Sequence, residues 1–150
     1  MTLPKSSNLV FTEQAKKVIT YDLNKNQNGF IIELFKSNNL TSVYLSAASP
    51  KAFKGYHLHR VREANYVCVK GRIKIILYTQ NGREEFILSS NEPSRLHIPT
   101  NVPTGLLNES DEEAWIINFP NPSYDPSLKD EQVDYTEEEC ENKLYLTNPK

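Results

Sequence analysis

The sequence predicts an all-β fold closed into a barrel or sandwich, and three observations carry that expectation. Between about Val18 and Tyr78, short apolar stretches rich in β-branched and aromatic residues follow one another closely, which favours pleated strands over helices. Ile73, Ile75 and Leu77 alternate with Lys74, Ile76 and Tyr78, and Gln80-Asn81-Gly82-Arg83 then leads into Glu84–Leu88; Asn-Gly between two apolar runs is the strongest short hairpin signal. No segment shows the apolar period of a long amphipathic helix.

In chain order the expected strands are Val18–Tyr21, Phe30–Phe35, Ser42–Ala47, Tyr56–His59, Asn65–Val69, Ile73–Tyr78 and, past the hairpin turn, Glu84–Leu88. Arg95–Ile98 and Ala114–Phe119 follow, separated by the turn-rich run Pro99-Thr100-Asn101-Val102-Pro103-Thr104-Gly105. Beyond Phe119, Pro120, Pro122 and Pro126 interrupt regular structure, so residues 120–150 read as a short, mostly irregular acidic tail in which Glu137–Glu141 forms at most one short helix. Trp115 and Phe119 read most simply as core.

A chain of 150 residues fits one domain with one substantial core. A net charge of −2 with no long basic tract argues against nucleic acid and anionic lipid as partners. Cys68 and Cys140 lie far apart without metal or disulfide spacing, which suits a reducing compartment. The start MTLPKSSNLVF lacks a secretory apolar region, and no run approaches the ~20 apolar residues of a membrane span, so a soluble cytoplasmic protein is expected.

Chemistry concentrates at Gly55-Tyr56-His57-Leu58-His59, which holds two of the three histidines. In a strand, positions i and i+2 share a face, so both imidazoles point one way. Such a pair can ligate a metal, move protons or simply hydrogen-bond, and the neighbouring positions bear on the choice. This run, the strand ending at Gly71 and the later Pro99 turn resemble the two motifs of the cupin jelly rolls. In metal-binding members the first motif leaves six residues between a Glu and the closing Gly, a slot that falls on Ala64, while Glu63 is one residue out of register. The second motif's His falls on Thr104, whereas Pro99 and Asn108 are kept and Asn101 stands where a Gly is usual. Architecture is retained where ligands are lost, and two imidazoles fall short of the three protein ligands of a catalytic metal site, so no cofactor is expected.

The resemblance extends further, over roughly Phe30 to Tyr135. The run KGYHLHR, followed by NYVCVKGRIKIILYTQNGREEFILSSNEPSRLHIPTNVPTGLL and the SYDP tail, resembles the dTDP-4-dehydrorhamnose 3,5-epimerase family and the related dTDP-4-keto-6-deoxyhexose 3,4-ketoisomerases. The resemblance implies a double-stranded β-helix and a cofactor-free isomerase of a nucleotide-linked, dTDP-type 4-keto-6-deoxy sugar. It further implies a homodimer that exchanges its N-terminal strands within residues 1–35. The epimerases' Arg-Gly-x-His motif falls on Lys54-Gly55-Tyr56-His57, making His57 the counterpart of the catalytic base. The ketoisomerases' Gly-x-His-x-His motif takes in His57 and His59 together. Tyr44 falls where ketoisomerases place a site tyrosine, and Tyr124, in Pro122-Ser123-Tyr124-Asp125-Pro126, matches the region of the epimerases' proton donor. Lys54, Arg60 and Arg95 are the expected phosphate contacts, with Asn65 and His97 beside them as substrate contacts, although each also suits a structural or surface role. Two other readings stay open: a metal cupin that recruits Glu63 through a bulge, and a sugar-binding module without chemistry.

Overall fold

The computed structural model describes residues 8–35, 42–123 and 125–150. Among the described residues twelve strands and two short helices follow in order: β1 Phe11–Gln14, β2 Lys16–Tyr21, β3 Gln27–Glu33, β4 Tyr44–Ala48, β5 Phe53–His59, β6 Ala64–Lys70, β7 Arg72–Thr79, β8 Gly82–Ser89, β9 Ser94–Ile98, β10 Thr104–Leu107, β11 Ala114–Asn118, β12 Gln132–Asp134, α1 Glu137–Glu141 and α2 Leu144–Thr147. They build two five-stranded antiparallel sheets, β1-β9-β6-β11-β4 and β12-β5-β10-β7-β8, and a separate β2–β3 hairpin. This is the cupin jelly roll.

One core fills the space between the sheets. Ile73, Ile75, Leu77, Leu88 and Leu106 from the β5 sheet meet Ala64, Cys68, Leu96, Ile98, Ala114 and Ile116 from the β6 sheet. Fully burying one such aliphatic side chain stabilises the fold by about 1.5–3 kcal/mol. The alternation in β7 serves two cores, because Ile76 and Tyr78 pack on the outer face with Tyr56, Leu58, Tyr135 and Cys140. The tail therefore covers the outer face of the β5 sheet. It is irregular through most of residues 120–131, as its prolines dictate, but it then pairs β12 against β5 and ends in α1 and α2.

α1 begins at Thr136, whose hydroxyl accepts from the Glu139 amide while the Glu139 carboxylate accepts from the Thr136 amide. That reciprocal cap explains why an acidic stretch stops and becomes helical there. The β7–β8 hairpin forms as expected, with Thr79 opposite Gly82, so Gln80 and Asn81 make the turn and Gly82, at φ +97°, opens β8. Asn101 takes φ +63°, the left-handed conformation expected where a Gly is usual. Asn108 is fully buried and its Nδ2 reaches the carbonyls of Ala48, Ser49 and Glu112. Both cysteines are free and buried.

Three strands escaped the pattern reading. β1 is short and pairs with β9, β10 begins inside the Pro-rich turn at Thr104, and β12 is three residues long. Trp115 departs from its expected core position: it is half-buried, donates to Glu113 and carries Lys70 over its ring.

Candidate active site

β5 places both histidines on the inner face of its sheet. Thr104 of β10 lies opposite His57 on one side and opposite Leu77 of β7 on the other, and Leu77 belongs to the inner core. Cross-strand partners share a face, so His57 looks inward, with His59 two residues on, while Tyr56 and Leu58 face the tail. The β5–β10 register shifts between Thr104 and Leu106, bringing Lys54 opposite Leu106 and so also inward. Its Nζ is 2.6 Å from Ser46 Oγ of β4, spanning the two sheets. Gly55 makes this possible: it takes φ +141°, and a Cβ there would lie 2.7 Å from the Thr104 carbonyl oxygen and 2.8 Å from Gly105 Cα.

The facing wall comes from the β6 sheet. Ile116 and Ala114 of β11 and Ala48 of β4 lie in the inner core, so alternation puts Asn118 and Tyr44 on the same inner face. Tyr66 of β6 pairs with Asn118 and with Leu96, completing a row of Tyr66, Asn118 and Tyr44 across three adjacent strands. Ala64 and Thr104, where metal-binding cupins carry ligands, occupy inner positions.

Each histidine is paired with a carboxylate from the tail. His57 Nδ1 lies 2.6 Å from Asp134 Oδ1, and Asp134 is its register partner on β12. An ionised carboxylate only accepts, so Nδ1 carries the hydrogen of this bond and Nε2 lies outside it. The bond to His57 holds the Asp134 carboxyl below its usual range. His59 Nδ1 lies 3.2 Å from Glu131 Oε2 and 3.1 Å from an Arg62 terminal nitrogen. Burial pushes the His59 pKa down, and Arg62 adds to this, against the bond to Glu131, so the ring is held neutral. Glu131 is itself buried, which alone would raise its pKa, but bonds from the Arg62 amide and His59 outweigh that and lower it.

Several expected contacts lie elsewhere. Asn65, Arg95 and His97 sit on the outer face of the β6 sheet, because Leu96 and Ile98 take the inner positions of β9. There they form a buried polar cluster: Arg95 donates to Asn65 Oδ1 at 2.7 Å and also binds Glu13, and His97 Nδ1 lies 3.0 Å from the same Asn65 oxygen. Phe11 stacks on His97 at 5.0 Å and lies under the Arg95 guanidinium. This placement sets them on the face opposite to His57, where they fasten β1 to the body. Glu63 belongs with them, its Oε2 4.0 Å from His97 Nε2, so the one-residue offset does turn it away from the histidine pair. Arg60 shares the outward face of Tyr56 and Leu58 and binds the Asp130 carbonyl of the tail, not the inner cleft. Tyr124 lies outside the described residues.

Asp134, Glu131 and Arg62 contact the two histidines yet give little signal in sequence. The nearest hint is the alternation in Gln132-Val133-Asp134-Tyr135, whose apolar members pack outward, but it is too short to stand out within an acidic tail.

A family model described as FdtA: WxcM-like, C-terminal matches residues 5–139. The probable low-salt glycan biosynthesis epimerase Agl13 of Haloferax volcanii is 27% identical over 124 residues, covering 73% of this chain and 80% of that protein. A double mutant of the 3,4-ketoisomerase QdtA from Thermoanaerobacterium thermosaccharolyticum, solved in complex with TDP, superposes with a TM-score of 0.67 at 17% identity, over 95% of this chain and 94% of that one. The 3'-monoepimerase ChmJ from Streptomyces bikiniensis, in complex with dTDP-quinovose, gives a TM-score of 0.68 at 13% identity, over 91% of this chain and 74% of that one. At these identities the two solved structures share the fold.

Proposed function

The chain belongs to the family described as FdtA: WxcM-like, C-terminal, and from that premise we propose that it is a cofactor-free isomerase of a dTDP-type, nucleotide-linked 4-keto-6-deoxy sugar. The observation that carries this reading is the His57–Asp134 pair: an imidazole on the inner face of a jelly roll, its Nδ1 hydrogen engaged and its Nε2 available. Hydrogens beside a ketone are acidified, and their removal requires a base near neutral pKa in a site that shelters the enolate. In this mechanism the C–H bond breaks, its proton goes to His57 Nε2, and its electron pair forms the enolate. Delivery of a proton to the opposite face of that carbon by a second acid, with the proton on His57 passing to solvent, gives the epimer. Lys54, inside the cleft rather than on the rim, is the cation that this reading assigns to the diphosphate. The relatives fit this substrate class, one being a probable glycan biosynthesis epimerase and two being solved with TDP or a dTDP-sugar.

One observation favours a second reading, 3,4-ketoisomerisation. Moving a ketone needs protons exchanged at oxygen as well as carbon, and a second imidazole, His59 braced by Glu131 and Arg62, supplies a second transfer group on the same face. Proton NMR of the product from dTDP-4-keto-6-deoxyglucose separates the two: an inverted C3 or C5 with the ketone still at C4 supports epimerisation, and a ketone at C3 supports migration. Unchanged substrate overturns both.

The proposal includes a homodimer built through the N-terminal strands. The β2–β3 hairpin stands apart from both sheets and leaves Val18, Ile19 and Tyr21 exposed, and an isolated two-stranded hairpin is marginal alone. A monomer in light scattering overturns this part. Among the described residues no helix is long and apolar enough to cross a membrane.

A further inference from the structure

We propose that Tyr66 donates the hydrogen bond that holds the enolate oxygen, from the wall opposite His57. The inference rests on the isomerase reading and assigns a catalytic residue that neither the histidine motif nor the tyrosines at 44 and 124 suggest.

Placement is the first argument. β6 is the central strand of its sheet, and Tyr66 lies on its inner face between Leu96 and Asn118, two positions along from the buried Ala64. A side chain there is normally sealed in the core, yet Tyr66 is half-buried. That inner face looks across to the inner face of the β5 sheet, which carries His57 and His59.

The second argument is hydrogen bonding. Tyr56 pairs its hydroxyl with Glu137, Tyr78 donates to Glu141, and the Tyr135 hydroxyl accepts from the Lys150 amide. Among the described residues nothing pairs with the Tyr66 hydroxyl. A phenol hydroxyl on an inner face that no described residue binds, and that is not sealed from solvent, is free to donate to the oxygen of a bound ligand.

Charge is the third argument. Tyr66 lies in the field of Arg62, whose guanidinium is 3.1 Å from His59. Burial pushes the phenol up to about 12, with Arg62 acting in the opposite sense, so it stays protonated and can donate throughout the neutral range. Developing negative charge on a ketone oxygen in this corner meets one hydrogen-bond donor and one nearby cation. The balance is simple: the proton lost from carbon resides on His57, the electron pair resides on the enolate oxygen, and the Tyr66 hydrogen is shared without being transferred.

The test is Tyr66→Phe, which removes one oxygen that no described residue binds and so leaves the melting temperature unchanged. With the dTDP-4-keto-6-deoxy sugar in deuterated water we expect kcat to fall about 100-fold with KM within about threefold. Turnover and solvent-deuterium entry beside the ketone should fall in parallel, because both pass through the same enolate. Wild-type turnover in the variant overturns the proposal. So does wild-type exchange with lost product, which would make the phenol an acid toward carbon. If the unmodified protein shows no exchange at all, the isomerase reading itself fails, and that outcome is distinct from the other two.

Discussion

Asp134 is the most instructive residue to remove. In the proposed reaction His57 becomes an imidazolium as it takes the carbon-bound proton, and its Nδ1 lies 2.6 Å from the Asp134 carboxylate. Two unit charges 4 Å apart attract by about 1 kcal/mol in water and by about 4 kcal/mol at the effective dielectric of a protein surface. The Asp134 side chain is 71% exposed and that of His57 37%, which puts the pair near the aqueous end. We therefore assign about 1–2 kcal/mol of transition-state stabilisation to the pair, a factor of roughly 5–30 in rate. Asp134→Ala should lower kcat/KM by that factor, and the wild-type advantage should shrink as salt is raised, because exposed charges are screened. The melting temperature should hardly change, since exposed ion pairs add little stability. The assay is turnover of the dTDP-4-keto-6-deoxy sugar followed by product NMR at low and high salt. Unchanged kcat/KM would refute the pairing. A loss beyond about 1,000-fold would refute the magnitude and mean that Asp134 meets the substrate itself.

Three further outcomes follow from the geometry. Gly55→Ala forces a Cβ to within 2.7 Å of the Thr104 carbonyl at φ +141°, so it should destabilise by about 2 kcal/mol or more, read as a lowered melting temperature, with activity lost through displacement of β5. Asn108→Ala leaves three carbonyls short of a donor in the interior and should cost about 2–3 kcal/mol in a denaturant titration. For pH, His59 is held below its ordinary value, so the unfolded chain binds its proton more readily than the folded one. Stability should therefore decline as pH falls from about 6.5 through the lower folded value. His59→Gln should flatten that decline in melts taken between pH 5 and 7. Glu131 is also depressed, so its contribution persists through this window and is lost only in stronger acid.

Where the sequence was legible, the cause was period and turn chemistry. Ile73–Tyr78 and the hairpin that follows it were readable because a strand buried on one face alternates, and β7 does so even though the tail buries its second face as well. His57 and His59 were readable as a same-face pair for the same reason. The direction of Glu63 followed from counting one residue against Gly71. What could not be read were contacts between distant segments. Arg95, Asn65 and His97 carry attractive chemistry, but only the inward position of Leu96 and Ile98 reveals that they face the other way, into a cluster that holds β1. Asp134 and Glu131 come from a segment more than seventy residues beyond the histidines, and their partners are set by the pairing of β12 with β5. Tyr66 looks like an ordinary strand tyrosine until its register with Asn118 places it on the inner face of its sheet.

The central claim is that His57 removes a proton beside the ketone. Incubating the unmodified protein and His57→Asn with dTDP-4-keto-6-deoxyglucose in deuterated water, and following deuterium in the sugar by mass spectrometry, tests it most directly. The account predicts incorporation next to the ketone by the unmodified protein and a rate reduced on the order of 1,000-fold in the variant. Undiminished incorporation in His57→Asn would contradict it.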